Sequence, residues 1–558
     1  MSSRDSSPGV APLDVEWPLK ADLRKDIYKP LPKIIPGAVN TDEMAGDMPT
    51  IQAKVVVDAF KNALLSNDVE KLVNCFYTEQ AYWLDIVALT SHLRSFSRPS
   101  TISEALLHMK YLRGVVGNIE LAGDAQFAVI SPVMVTIFID CGISFRTTSP
   151  ALSCMGKMLL LPAKSNVAAG STSWKIWAPL TWIENIVQHP EDETQLSYSS
   201  KNLDSLDTIE TDVLIKGFTE SAPVYQGRSN GTFASICCES GLNVIISTTI
   251  SSSSFNTLEK KWTVKLKTID GKPGKTITSK HFVQATGIGS QRPNLPTLEN
   301  EHMFKGLNLH SVHFRNAQSL SEQGIKSVVI VGSANTAFDI MQDCHAAGIK
   351  TTMVARSPSP CLSRTLSSLG FPVLDSRDSS VDIQNILVER GGGHYVDVGG
   401  TDLIAEGKVA VRGRVGPIGY IETGLRLSDS SVLDTDAVIW CTGFADKDVR
   451  TIALEILGEA DPDMTNKTDV LGPKDIVARL DATWGVDAEG EVRGVWKRHL
   501  RMENYWVMGD VIQQQRWWSR PMTQQIKSAL EGHLPSAYRD TPEPNRIERA
   551  RKASIEHL

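Results

Sequence analysis

The residues best suited to chemistry in this chain are Gly332-Ser333-Ala334-Asn335-Thr336-Ala337, which follow the apolar run Val328 to Val331. Small residues at this spacing suit a turn from a strand into a helix that cradles a dinucleotide pyrophosphate. In the pattern G-x-G-x-x-G/A the first glycine makes the tight turn. The second admits the phosphates, and the third lets helix and strand pack closely. Here Ala334 and Ala337 take the second and third places, so the geometry is kept but is cramped at Ala334. The helix start at Asn335 to Ala337 is expected to offer unpaired N–H groups and a partial positive charge to phosphate. The next apolar run, Thr351 to Ala355, ends in Arg356-Ser357. An Asp or Glu there would accept from a ribose 2′-hydroxyl. A cation and a hydroxyl suit a 2′-phosphate instead, which favours NADPH over NADH.

These residues need a strand, a turn, a helix and a second strand, and Lys326 to Ser357 reads as that unit. Strand–helix alternation continues to Gly443, which argues an α/β fold with a mainly parallel sheet. The chain of 558 residues is too long for one core and predicts two to four domains. With 41% apolar and 22% charged residues it is globular, and a net charge of -7 argues against a dedicated nucleic-acid binder. No apolar run is long enough to span a membrane, and the first residues lack the basic start and apolar core of a signal peptide. Eight scattered cysteines suggest reduced thiols in a cytoplasmic protein and no metal site.

Residues 1–50 read as an extended lead-in. Residues 51–188 read as an α+β domain: a helix, a turn at Asn67-Asp68 and a second helix, then a helix over Ile102 to Met109. Strands follow over Phe127 to Ile139, Ser144 to Thr147, Met155 to Leu161 and Ser173 to Ile183. Residues 189–210 read as a linker. Two stretches, 211–320 and 436–535, read as halves of one nucleotide-binding domain, and 321–435 lie between them as a second. Residues 536–558 form a tail. Within the first half, Asp212 to Gly217, Asn243 to Thr249, Trp262 to Leu266 and Lys280 to Gly287 read as strands, with a turn at Gly271 to Gly274.

Phe304, Gly306, His310 and Phe314 spell F-x-G-x-x-x-H-x-x-x-F, just upstream of the Gly332 turn. Ala285-Thr286-Gly287 and Cys441-Thr442-Gly443-Phe444 each end a strand. Tyr505-Trp506-Val507-Met508-Gly509-Asp510 precedes a helix carrying Gln524 and Gln525. Together these segments resemble the flavin-containing monooxygenases and related Baeyer–Villiger enzymes. That resemblance implies a Rossmann-like α/β fold with two dinucleotide-binding domains, one for FAD and one for NADPH. It implies that Thr286, Gly287, Thr442 and Gly443 lie at the crossovers between the domains. Phe304, Gly306 and His310 would then border the NADPH pocket, with His310 structural and gating rather than a general base. Gly509, Asp510 and Gln525 would approach the flavin. The segment Tyr82-Trp83-Leu84-Asp85 through Arg94 and Phe96 resembles the N-terminal region of fungal proteins of this type, and residues 51–188 resemble the NTF2-like cone fold. Tyr82 and Trp83 could line a pocket there, although aromatics at such a position more often form core.

The first nucleotide domain is incomplete by sequence. After Ile215 the chain reads Lys216-Gly217-Phe218-Thr219-Glu220-Ser221-Ala222-Pro223. One glycine stands where G-x-G-x-x-G would be expected, and Pro223 interrupts the helix that should follow. Without that cradle the FAD pyrophosphate loses its N–H partners. The sequence thus predicts an NADPH- and FAD-dependent monooxygenase-like oxidoreductase acting with O₂ on a small organic substrate, with no side chain named as acid, base or nucleophile. Two alternatives stand beside it. One is a degenerate NADP(H)- or ligand-binding relative without turnover. The other is an interaction protein that forms a homodimer through the cone domain.

Overall fold

The structure, a computed structural model, describes residues 18–21, 31–32, 34, 39–130, 136–164, 172–192, 203, 205–217, 243–269, 273–287, 293–360, 364–374, 393–444, 449–463, 467–483, 485–509 and 512–543.

Helix α1 (Met48–Leu65) buries Ala53, Val56, Val57, Phe60, Ala63 and Leu64 along one stripe, the spacing of a helix lying on a sheet. Asn67 then takes a left-handed φ of 53°, and the Asp68 carboxylate caps α2 (Val69–Cys75) by accepting from Lys71 N at 3.0 Å. Strands β1 (Tyr82–Ile86) and β2 (Leu93–Ser97) form a hairpin. Helix α3 (Pro99–Arg113) is longer than the expected Ile102 to Met109 and ends at Gly114 in the left-handed region. Four long strands follow: β3 (Val116–Ile130), β4 (Thr136–Thr148), β5 (Ala151–Lys164) and β6 (Thr172–Ile186). The expected single strand from Phe127 to Ile139 is therefore divided between β3 and β4, because continuous apolar spacing does not mark the reversal. The sheet order is β2-β1-β6-β5-β4-β3, with α1 packed against β3, β4 and β6. The unit is α+β, as the run of helices and strands suggested.

The chain then enters a second sheet through β7 (Thr208–Gly217), β8 (Thr248–Asn256), β9 (Lys261–Thr268) and β10 (Pro273–Ala285). Two expectations shift here. The strand read over Asn243 to Thr249 begins only at Thr248 and runs through Ser251 to Ser254, whose polar sequence hides three buried positions, Ser252, Ser253 and Ser254. Pro273 and Gly274, read as a turn, open β10. A third sheet takes over with β11 (Leu307–His310), β12 (Ser327–Val331), helix α4 (Asn335–Ala346), β13 (Lys350–Ala355) and β14 (Ala410–Gly413). A meander of β15 (Pro417–Ile421), β16 (Gly424–Leu427) and β17 (Val432–Asp434) precedes β18 (Ala437–Trp440). The chain finally returns to the second sheet with β19 (Tyr505–Val507) and helix α5 (Ile512–Leu530).

The third sheet has the order β11-β18-β12-β13-β14, and every pairing in it is parallel. Val328 and Ile330 face α4, packing with Phe338, Met341 and Cys344. Val329 and Val331 face the meander, packing with Tyr420, Leu425 and Leu427. Burial on both faces explains why β12 reads as an unbroken apolar run rather than an alternation.

In the second sheet β10 is central. It pairs in parallel with β7 along one edge, and along the other with β9 in antiparallel and β19 in parallel register. Among the described residues β7 pairs with no other strand, and its Ile215 is 63% exposed.

The tail is not a free end over the described residues to Glu543. Tyr538 is buried in the first unit's core, its N–H donating to Thr90 O at 2.8 Å. The lead-in likewise contributes a buried Ile34 against Tyr77 and Leu161.

Candidate nucleotide site

The turn after β12 is built by one close approach. Gly332 has φ +147°, and a Cβ there would lie 2.5 Å from Cys441 O and 2.8 Å from Cys441 Cβ. Only glycine lets β12 pass the end of β18 this tightly. Gly332 N–H donates to Val354 O at 3.0 Å, tying the turn to the end of β13, where Arg356 and Ser357 emerge exposed. Helix α4 starts beyond this point with Ala334 as its N-cap residue. Ala337 is fully buried beneath it, which accounts for a small residue in the third position.

The helix start differs from the expectation of free donors throughout. Asn335 N–H donates to His394 O at 3.2 Å, and Ala337 N–H closes back on Ala334 O at 2.9 Å. Asn335 Oδ1 accepts from Val396 N at 2.8 Å, and the Tyr395 ring stacks on Phe338 with centroids 3.5 Å apart. The segment His394 to Gly399 therefore flanks the start of α4. Sequence reading missed it, because no local pattern links residues so far apart. Ser333, Ala334 and Thr336 remain at the turn between β12 and α4, with Thr336 exposed.

His310 closes β11 and accepts at Nδ1 from Val312 N at 3.2 Å, while its Nε2 lies 3.0 Å from Gly443 O. With Nδ1 accepting, Nε2–H donates to that carbonyl. Burial pushes the imidazole below its ordinary value, so the ring is neutral and pins the Gly443 crossover. Gly443 itself has φ 72°, Asn294 N–H donates to its carbonyl at 2.9 Å, and the Thr442 hydroxyl donates to Asn294 O. Phe304 packs on Tyr420 with ring centroids 5.7 Å apart. A Cβ at Gly306 would meet Asp436 O and the Phe304 ring, each at 2.4 Å. The Phe304–Phe314 segment thus joins the meander, β18 and the crossover in one place.

The other predicted residues lie elsewhere. Thr286 is buried, its hydroxyl accepting from Gln284 Nε2 at 3.1 Å, and Gly287 has φ 91°. Gly509 O accepts from Trp496 Nε1 at 2.9 Å. Asp510 lies outside the described residues, as do residues 218–242. Gln524 Nε2 donates to Ile183 O at 3.3 Å on β6, and Gln525 Nε2 donates to Pro521 O at 3.3 Å, while Gln525 Oε1 is buried without a hydrogen-bond partner. Helix α5 is used to hold the first unit against the second sheet. Trp518 stacks on Trp496 and Arg520 grips Glu184 and Glu191. Trp83 is core: it is fully buried, stacks on Phe96 at 5.0 Å and donates to Thr181 Oγ1 at 2.9 Å. It helps line a small, partly open apolar pocket with Phe60, Leu106, Ile143, Phe145 and Met158. Tyr82 is half-buried.

The two glycine turns can be compared directly for their fit to a dinucleotide. At Gly332 the space for a Cβ is already filled by backbone, the mark of a pyrophosphate turn. At Gly217 a Cβ would meet only Ala285 O at 3.8 Å, an ordinary contact. The geometry of the first fits a dinucleotide turn. The described residues at the end of β7 do not form a flavin pyrophosphate cradle. Among the described residues no cluster of His, Cys, Asp or Glu could hold a metal, and no helix is long and apolar enough to cross a membrane.

Residues 207–370 match the family described as pyridine nucleotide-disulphide oxidoreductase. The probable indole-3-pyruvate monooxygenase YUCCA10 of Arabidopsis thaliana is 24% identical over 226 residues, covering 35% of this chain and 57% of the relative. Indole-3-pyruvate monooxygenase YUCCA1 of Oryza sativa subsp. japonica is 22% identical over 263 residues, covering 41% of this chain and 61% of the relative. The chain thus spans about three fifths of the length of these curated relatives. Among solved structures, a flavin-containing monooxygenase from Stenotrophomonas maltophilia is 19% identical, with a TM-score of 0.33 over 54% of this chain and 76% of that one. An open cyclohexanone monooxygenase is 11% identical, with a TM-score of 0.36 over 54% and 71%. The chain is thus similar to flavin monooxygenases over part of its length, and the family match over 207–370 includes the Gly332 turn.

Proposed function

We propose that this chain is an NADPH-binding oxidoreductase of flavin monooxygenase type, using O₂ on a small organic substrate. The observation that carries the reading is the all-parallel sheet with Gly332 closed against Cys441 and Arg356 at the end of the next strand. The backbone around Ser333 and Ala334, with the Thr336 N–H at the start of α4, holds the pyrophosphate. Arg356 and Ser357 take the 2′-phosphate. When bound, NADPH supplies a hydride. His310 keeps the Gly443 crossover in register beneath it, and no proton transfer is assigned to that neutral, hydrogen-bonded ring.

A second reading, nucleotide binding without turnover, is favoured by the other sheet. Strand β7 pairs only with β10 among the described residues, and Gly217 lacks the close backbone approach seen at Gly332. Purified full-length chain separates the two. A yellow preparation with bound flavin that oxidises NADPH in air supports the first. Colourless protein that binds NADPH and consumes none with added FAD supports the second and rejects the first.

A further inference from the structure

We propose that Arg414 is a second cation for the 2′-phosphate of NADPH, acting beside Arg356 to set the preference for the phosphorylated dinucleotide. The inference rests on the NADPH reading above. The register of the parallel pair β13–β14 is Val354 with Arg412 and Ala355 with Gly413. Arg414 N–H then donates to Ala355 O at 2.8 Å, so Arg356 and Arg414 leave neighbouring strands at adjacent positions. They do so at the carboxyl end of a parallel sheet, the end at which ligands of such sheets bind. The same end holds the nucleotide turn, since Gly332 N–H donates to Val354 O, one residue before Ala355.

The backbone beyond Arg414 lies against the Arg356 side chain. A Cβ at Gly416 would lie 3.1 Å from Arg356 Cδ and 3.5 Å from its Cγ, so the stem of Arg356 packs on the Val415–Gly416 segment. Arg414 has φ 61°, an uncommon conformation for a residue other than glycine. Both arginines are exposed. Like charges on adjacent strands repel. Among the described residues no ion pair joins Arg356, Arg412 or Arg414 to a carboxylate. The nearby Arg426 is already held by Glu299 at 2.6 Å, and Asp429, which feels Arg412, is bonded to Ser431. A phosphate monoester is the ligand chemistry that answers this arrangement, because its oxygens accept from two guanidinium forks at once.

The test is titration of the full-length chain with NADPH, NADH and 2′-phosphorylated ADP, comparing wild type with Arg414→Ala, Arg414→Lys and Arg356→Ala. Loss of one charge-assisted contact predicts roughly tenfold weaker NADPH and 2′-phospho-ADP binding for Arg414→Ala. NADH binding should be unchanged, and Arg414→Lys should recover part of the loss. Thermal unfolding of each variant checks that the fold is kept. If Arg414→Ala binds NADPH as wild type does while Arg356→Ala loses affinity, Arg414 is no part of the site and the proposal fails alone. If wild type binds neither dinucleotide, the NADPH reading fails and takes the proposal with it.

Discussion

Arg94 Nε donates to Glu489 Oε2 at 3.1 Å, joining the first α+β unit to the segment that leads into β19. The guanidinium is fully buried and also donates to Tyr538 O at 3.0 Å, Asp540 O at 2.7 Å and Thr541 Oγ1 at 2.6 Å. It lies over the Phe96 ring at 4.4 Å. One side chain thus fastens three segments.

Replacing Arg94 by alanine leaves Glu489 and two carbonyls without their partner inside the seam. Breaking a buried pair by removing one member costs on the order of 3–5 kcal/mol. Urea unfolding of Arg94→Ala should show that loss, and limited proteolysis should cut first near residue 540. Wild-type stability with an uncut tail would mean that the seam is held elsewhere.

The two glycines that end β12 and β7 should respond in opposite ways to the same methyl group. Gly332→Ala places a Cβ 2.5 Å from Cys441 O at φ +147°, so destabilisation of about 1–3 kcal/mol is expected, with loss of NADPH binding. Gly217→Ala meets only an ordinary 3.8 Å contact, and a change within about 0.5 kcal/mol is expected. Equal costs from the two substitutions in parallel thermal melts would remove the distinction between the turns.

His281 offers a pH-dependent test. Its Nδ1 accepts from Trp506 Nε1 at 3.1 Å, joining β10 to β19, and burial pushes the imidazole down to about 4. A buried histidine of lowered pKa is neutral when folded and takes up a proton on unfolding. Its contribution is therefore complete above about pH 6.5 and falls away as pH drops towards 4. At one pKa unit per ~1.4 kcal/mol, the loss is on the order of 3 kcal/mol. His281→Gln keeps an acceptor for Trp506 without a titrating group, and its stability should decline less than wild type's between pH 6.5 and 4. Matching wild-type and variant curves over that range would refute the assignment.

Asp436 acts with the same sign in a more acidic window. Its Oδ2 accepts from Lys326 N, Ser327 N and Ser327 Oγ, each at 2.9 Å, and these donors hold its carboxyl below the ordinary value. Its contribution is present above the unfolded carboxylate value and is lost as pH falls through the lower folded one. The group is exposed, so solvent screens it. Asp436→Asn is expected to cost under about 1 kcal/mol at neutral pH and to flatten the acid limb of the stability curve. A variant that keeps the wild-type acid limb would contradict this.

The sequence by itself determined the Lys326 to Ser357 unit. Val328 to Val331, Gly332 and the helix from Asn335 are neighbours in the chain, and their periodicity is enforced by one local packing problem. It also determined that Gly217 is not followed by a second glycine turn, because a motif is a statement about residue types. Tertiary structure decided the rest. Only the β13–β14 register brings Arg414 beside Arg356, and only the fold places His394 against Asn335. Gln525 follows the expected helix but turns to its own backbone at Pro521, because α5 is recruited to hold β6. Helices and turns are written in nearest-neighbour chemistry. Sheet edges, seams and the pairing of distant cations depend on contacts between residues tens to hundreds of positions apart, which no local pattern encodes.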